Sequence, residues 1–297
     1  MDYLAASLVL TLVTFVVRAE RWQYLLSPLG PTRFWVVFKT TVIGFAASAV
    51  LPARAGEVIR PYLLARREGL SATATFATII VERILDLVAV LLLLAAYLLW
   101  FDPGMEARDS QVFTAIRVGG LVMAPVALGG LVLMFFMAGH PERLEAWLLR
   151  AERVLPARVA GFIARLARMF AEGFAVVRRP ERLVAALGWS LVLWMVVAVG
   201  LWAVAMAFGI DMPLTGSWLM LGPLVVGVAV PTPGGVGGFH EAFRIGATAF
   251  FNAPNDTAVG AAIVLHAIGI VPVVIMGVWF MVQDGLKFGG LARGDLG

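Results

Sequence analysis

Residues 34–60 read FWVVFKTTVIGFAASAVLPARAGEVIR: an apolar run from Phe34 to Leu51 stops at Pro52 and gives way to Arg54, Gly56, Glu57 and Arg60. Basic residues stand at both ends of the run, Arg33 and Lys39 before it and Arg54, Arg60, Arg66 and Arg67 after it. A segment that crosses a bilayer carries its Lys/Arg excess at the cytoplasmic end, so a simple crossing would leave one basic cluster on the wrong side. A re-entrant hairpin that enters and leaves from the cytoplasm satisfies both ends. Its turn is expected over Ala49–Gly56, where Pro52 and Gly56 break a helix.

The rest of the 297-residue chain is equally apolar, with 61% hydrophobic residues, 14% charged residues and a mean hydropathy of +0.92. A soluble core cannot use that much apolar surface without exposing patches that aggregate, whereas lipid can. Several windows exceed the roughly 20 apolar residues that span a hydrocarbon core. The expectation is an all-α polytopic membrane protein, a single membrane domain over 1–297. There is no cysteine, which excludes disulfides, Cys-ligated zinc and thiol catalysis. Met1-Asp2-Tyr3 lacks the basic start of a cleavable signal, so the first run is expected to be a retained helix. The net charge of +4 comes from arginines in loops between apolar runs. That pattern is topology bias, and no nucleic-acid partner is expected.

The charge rule carries the topology along the chain. Tyr3 to Val17 runs inward and ends in Arg18, Glu20, Arg21 and Trp22, read as a basic, aromatic interfacial anchor with the N-terminus outside. After the hairpin, Ser71 is a plausible N-cap for a helix from about Ala72 to Trp100. The loop with Asp102, Glu106 and Asp109 is acidic and suits the outside, and Arg117 to Ala138 returns inward. Residues 140–182 alternate arginines with apolar positions at helical spacing, as an amphipathic cytoplasmic segment or a solvated helical loop would. Leu183 to Phe208 crosses outward. Leu214 to Val230 and Phe239 to Phe251 flank Pro231-Thr-Pro233-Gly234-Gly235-Val-Gly237-Gly238, a second hairpin from the opposite face. Thr257 to Val282 then ends near Lys287 and Arg293, inside. Residues of about 1–100 and 183–285 are thus expected to be an inverted-topology repeat with two re-entrant hairpins, joined by a linker helix and the basic segment over 117–182. Secondary transporters place their site where such broken elements meet.

The candidate site residues lie in those elements. Arg54, Glu57 and Arg60 are spaced by three and would share one helix face. Ionised side chains at membrane depth need a partner or a polar cavity, and two arginines beside one glutamate suit a phosphate. The plain alternative is an ion pair that pins the hairpin. Glu82, Arg83 and Asp86 sit inside an apolar helix, with Glu82 and Asp86 on one face; they balance the arginines, bind a cationic head group, or lock the fold. In the second hairpin, the Pro233, Gly234, Gly235 and Gly237 turn exposes backbone amides at the start of a helix that carries His240, Glu241 and Arg244, an arrangement that favours an anion. His240, Glu241 and His266 lack a fourth ligand, so no metal is expected. There is no Gly-x-Ser-x-Gly elbow, no Gly-x-x-x-x-Gly-Lys-Ser/Thr loop and no His-Glu-x-x-His pair. Neither an enzyme nor a cofactor is expected.

Four stretches resemble the lysylphosphatidylglycerol synthase transmembrane-region family: Arg18-Ala-Glu-Arg21-Trp22, Leu51-Pro52-Ala-Arg54-Ala-Gly56-Glu57-Val-Ile-Arg60, Val81-Glu82-Arg83-Ile-Leu-Asp86, and Pro231-Thr-Pro233-Gly234-Gly235-Val-Gly237. The resemblance spans about 18 to 285 and implies a flippase-like domain that moves a polar-headed, phosphate-bearing lipid between leaflets of the bacterial inner membrane. It further implies that the chain begins at the family's second helix. With no synthetase segment in the sequence, the lipid need not be an aminoacyl one. The expected partners are a membrane lipid substrate, a separate lipid-modifying transferase and a second copy of the chain. A small-solute secondary transporter, or a membrane partner that presents lipid-linked substrate to a transferase, are the alternatives.

Overall fold

The computed structural model describes residues 1–51, 54–100, 111–139, 173–175, 179–229 and 232–286. Among them are nine α-helices and no strand. They are α1 (Asp2–Leu26), α2 (Phe34–Val50), α3 (Gly56–Glu68), α4 (Ala72–Trp100), α5 (Gln111–Gly139), α6 (Pro180–Ala207), α7 (Gly216–Ala229), α8 (Gly238–Phe251) and α9 (Asn255–Gln283), with a short 3-10 turn at Pro233–Gly235 between α7 and α8. The basic segment expected to be amphipathic lies outside the described residues up to 172, as do the acidic loop at 102–109 and the C-terminal Lys287 and Arg293.

The molecule is a multi-pass membrane protein. Asp2–Leu26, Phe113–Gly130, Pro180–Ala207 and Asn255–Gln283 are long and apolar enough to cross a bilayer. Large apolar side chains such as Leu121, Val126, Ile275 and Val282 are exposed along α5 and α9, costly in water and cheap in lipid. α4 is as long as α9 but carries Glu82, Arg83 and Asp86 in its first half. Its start is capped as expected, with the Ala74 amide donating to Ser71 Oγ at 3.3 Å.

α1 departs from expectation at its end. It does not stop at Val17 but runs unbroken to Leu26, and Arg21 and Trp22 are fully buried. They are not an interfacial anchor. Apolar and aromatic residues recur at Phe15, Ala19, Trp22, Leu25 and Leu26, so one stripe of period 3.6 carries the last two turns inside.

Two cores hold the bundle. One gathers Trp22 and Leu25 of α1, Val37 of α2, Leu64 of α3 and Leu85 of α4. The other joins α6, α7, α8 and α9 around Leu201, Met220, Phe243 and Ala262. They are interlocked, because α1 packs along α6 and α2 along α9. Lipid removes the hydrophobic drive between helices, so close contact between small residues takes over. A Cβ on Gly56 would lie 1.8 Å from the Gly44 carbonyl oxygen, and one on Gly277 would lie 2.3 Å from Ala46 Cβ. In the second half, a Cβ on Gly227 would lie 2.4 Å from the Gly238 carbonyl oxygen. Each short helix pair, α2–α3 and α7–α8, is therefore sealed by two glycines, one within its first helix and one opening its second.

Gly56→Ala and Gly227→Ala are expected to force backbone apart and cost about 1–3 kcal/mol each, the usual scale of overpacking. Gly119→Ala and Gly129→Ala, where a Cβ meets open space, should leave the midpoint of thermal unfolding in detergent within a degree or two or raise it slightly. Equal midpoints for all four variants would refute the close-approach account.

Candidate functional site

The polar centre is built on α4. Glu82 is wholly buried, and its Oε1 receives three guanidiniums: Arg83 at 2.6 Å, Arg60 of α3 at 3.1 Å and Arg21 of α1 at 3.2 Å. Asp86, one turn on, is held by Arg21 at 2.5 Å, by Arg83 at 3.5 Å and by the Trp194 indole N–H of α6 at 3.0 Å. Arg21 also donates to Ser190 Oγ at 2.9 Å. The Arg60 guanidinium lies 3.8 Å over the Trp22 ring, whose N–H donates to Thr78 Oγ1 at 2.9 Å. A charge removed from water in this way survives only when paired and hydrogen-bonded. Four helices, α1, α3, α4 and α6, supply the partners.

Beside this network lies a cavity of about 210 Å³. The tip of the α2–α3 pair contributes Ser48, Ala49, Arg54, Gly56 and Glu57. The α7–α8 pair contributes Val228, Thr232, Gly234 and Gly235, while Arg60, Arg83 and Ile270 close it toward the core. Arg54 sits in the left-handed region at φ 52°, pairs with Glu57 at 3.8 Å and donates to the Val228 carbonyl, so it clasps one tip to the other. Buried Nε and Nη2 of Arg60 and Nε of Arg83 have no hydrogen-bond partner among the described residues. The cavity wall itself carries three arginines, Arg54, Arg60 and Arg83, against one carboxylate, Glu57.

The glycine turn is fixed by a histidine pair. Gly234, Gly235 and Gly237 all have positive φ, at 61°, 75° and 89°, a path open to glycine at little cost. The Gly237 amide donates to His240 Nδ1 at 3.2 Å. In its neutral form His240 thus carries its proton on Nε2, which faces His266 Nδ1 at 2.9 Å; His266 Nε2 in turn donates to the Gly234 carbonyl at 2.8 Å. One tautomer of each ring satisfies the whole chain, so the assignment follows from the fixed amide at its head and carbonyl at its foot.

Of the residues singled out from sequence, Arg54, Gly56, Glu57, Arg60, Arg83, Gly234 and Gly235 line this cavity. Glu82 and Asp86 stand behind it, engaged by arginines, and so are not free for a cationic head group. Gly237 and His240 support the turn from outside the lining, and Pro233 opens it. Glu241 and Arg244 do not join: they pair with each other, and Arg244 reaches Asn255 Oδ1 at 3.0 Å, on the start of α9. Arg54, Glu57 and Arg60 do not share a helix face either, because α3 begins only at Gly56. Sequence reasoning missed Arg21, Ser190 and Trp194 as site residues. The stripe through Phe15, Ala19 and Trp22 was the signal for Arg21; for Ser190 and Trp194, set in a uniformly apolar helix, there was none.

The fold and its polar centre define a multi-pass helical membrane protein with ionic groups gathered inside the bundle. The chain belongs to the lysylphosphatidylglycerol synthase TM region family, whose model matches residues 1–277. It is 27% identical over 307 aligned residues to the glycosyltransferase AglD of Haloferax volcanii, a match that covers 94% of this chain and 48% of that protein. A shorter match, 27% over 88 residues, covers 29% of this chain and 26% of the UPF0104 membrane protein MJ1595 of Methanocaldococcus jannaschii. The chain thus spans about half the length of the first relative and about a quarter of the second is matched. No solved structure matches. The name of the first relative overturns the expectation that the chain is not an enzyme. The missing serine, nucleotide-loop and zinc motifs speak only to those chemistries, whereas reactions at glycosidic bonds commonly rest on carboxylates that such motifs do not report.

Two substitutions probe this geometry. Arg21→Met leaves Asp86 short of its closest partner and is expected to cost about 3–5 kcal/mol, while the double variant Arg21→Met/Asp86→Leu should recover part of that loss. Additive losses in thermal or denaturant unfolding would mean that the pair is not coupled. His266→Leu strands the Gly234 carbonyl and the His240 N–H, and is expected to cost about 1–3 kcal/mol. His266→Gln, able both to accept and to donate, should cost less.

Proposed function

We propose that the protein moves a phosphate-bearing, polar-headed lipid between the leaflets of a bacterial inner membrane, with the cavity between the two helix-pair tips as its head-group site. The carrying observation is the gathering of Arg54, Arg60 and Arg83 around one cavity between the two tips, with Glu57 as its one lining carboxylate among the described residues. Arg60 donates to Glu82 and lays its flat face on Trp22, so its guanidinium is held in place before any ligand arrives. Preorganised guanidinium donors suit the tetrahedral oxygens of a phosphate. Acyl chains would remain in lipid, and only the head group would enter the polar region.

The re-entrant reading is supported by length. At 1.5 Å per residue, α2 rises about 26 Å and α3, α7 and α8 about 20 Å, less than the ~30 Å hydrocarbon core. The inverted repeat is supported by the matching glycine seals, Gly44 with Gly56 and Gly227 with Gly238, and by the way each half packs its first helix on the first helix of the other. In this reading the halves 1–100 and 183–285 enter from opposite faces, within one membrane domain.

The AglD match favours a second reading, that the domain holds a lipid-linked substrate for a glycosyl-transfer step carried out with a transferase partner or a further segment. The same cavity would serve. The two separate in vesicles. With the purified chain alone, translocation of a labelled anionic phospholipid is expected on the first reading, and Arg83→Gln should slow it by about ten-fold or more, the value of one charge-assisted contact. No leaflet exchange by the purified chain, together with restored sugar transfer when the chain is supplied to a deletion strain's membranes, would favour the second and remove the first.

A further inference from the structure

We infer that the cavity is matched to a doubly charged phosphate head, a phosphate monoester or a diphosphate, in preference to a phosphodiester, a zwitterion or a cationic head group. The inference rests on reading the cavity as a lipid head-group site. Its basis is the balance of charge around one small space.

Arg54, Arg60 and Arg83 line the cavity, Arg21 lies directly behind it, and Arg18 shares the Phe45 ring with Arg60, at 4.8 Å against 5.9 Å. Against these five guanidiniums stand three carboxylates, Glu57 on the wall and Glu82 and Asp86 behind it. The excess is two positive charges. Among the described lining residues no other side chain is ionisable, and none is a histidine. Arginine stays protonated across the working range, so the protein itself cannot discharge the excess; an anion must.

A phosphodiester brings one negative charge and leaves half the excess unbalanced. A phosphate monoester brings nearly two at neutral pH, because its second ionisation lies at about 6, and a diphosphate brings at least as many. A cationic head would add to the excess, and the carboxylates near the cavity are already ion-paired, Glu82 with three arginines in the interior and Glu57 with Arg54.

The test places the full chain in phosphatidylcholine nanodiscs doped with rising fractions of phosphatidic acid, phosphatidylglycerol or a trimethylammonium lipid of the same tails. Inorganic phosphate is added to undoped discs as a separate arm. Binding is read as the rise in the thermal unfolding midpoint. At pH 7.5, phosphatidic acid should reach half its effect at a fraction at least about ten-fold below that of phosphatidylglycerol, one further close charge being worth that much or more in a partly dry site. The gap should close as the pH falls to 5, where the monoester loses its second charge. Arg83→Gln, which keeps a hydrogen-bonding side chain beside Glu82 and Asp86 at a position 39% exposed, should narrow the gap at pH 7.5, and Arg83→Lys should restore it.

Equal potency of the two phospholipids at pH 7.5, or a larger effect of the cationic lipid, would overturn the inference. Full stabilisation by inorganic phosphate alone would overturn its lipid half and leave an anion site. Leaflet exchange that persists without any monoester preference would sink this inference and spare the transport reading. A preference that persists without leaflet exchange would do the reverse.

Discussion

The buried ionic network of this bundle converges on one carboxylate oxygen. Glu82 Oε1 accepts from Arg60 of α3 and Arg83 of α4 and is ion-paired with Arg21 of α1, and Asp86 extends the contact to α6 through Trp194. None of those arginines could be carried into the bundle alone, since each charge costs several kcal/mol to remove from water. Together they fix where α1 ends, how α3 leaves its tip and how α4 is rotated. They also decide the character of the cavity. The network consumes both acidic side chains of α4 on its inner side, so the surface facing the cavity is left cationic.

The second constraint is steric. The helix pairs α2–α3 and α7–α8 close as tightly as they do because Gly44 and Gly56 in the first and Gly227 in the second leave no room for a Cβ against the facing helix. The glycine turn of the second pair adds positive-φ positions at Gly234, Gly235 and Gly237, and the His240–His266 chain ties both its ends. Arg54, held in a left-handed conformation, spans from the first tip to Val228 on the other. A mobile turn would blur a site of this size. Here side chains pin the backbone at three points, Val228, Gly234 and Gly237, so the cavity is shaped without a bound partner.

Much of this was legible from residue order alone. The long apolar runs of α4, α6 and α9 fall within a few residues of where they stand, and Pro52 and the Pro-Thr-Pro-Gly-Gly stretch mark the breaks between the paired helices. Charges inside apolar runs identified Glu82, Arg83 and Asp86 as interior groups, because lipid gives them nowhere else to go. What failed were inferences about direction. Arg21 and Trp22 were taken for a surface anchor because an Arg–Trp cluster at the end of an apolar run is the usual form of one; only the periodicity that continues to Leu26 argues otherwise. Glu241 and Arg244, three apart, could look inward or toward each other, and spacing does not distinguish the two. Ser190 and Trp194 gain importance only from neighbours more than 100 positions away.

The family relationship and the relative named a glycosyltransferase pose an apparent conflict between moving a lipid and modifying one. The geometry eases it. Both tasks require a head group to be drawn out of the interfacial water and held by its phosphate while its tails stay in lipid, and both are helped when the holding groups are rigid and already desolvated, since little reorganisation is then left for the moment of binding. Arg60, stacked on Trp22 and anchored on Glu82 at the cavity wall, suits that requirement on either account. The difference lies in what happens at the far end of the head group, beyond Arg54 and the glycine turn. A translocating protein must let the two tips part so that the head can leave on the other side, which makes the Arg54–Val228 clasp a gate. A protein that presents its lipid for chemistry must keep the tips closed and expose the head laterally, which makes the same clasp a permanent strut. The clasp therefore discriminates between the two accounts better than the arginines behind it, because only one of them requires it to break.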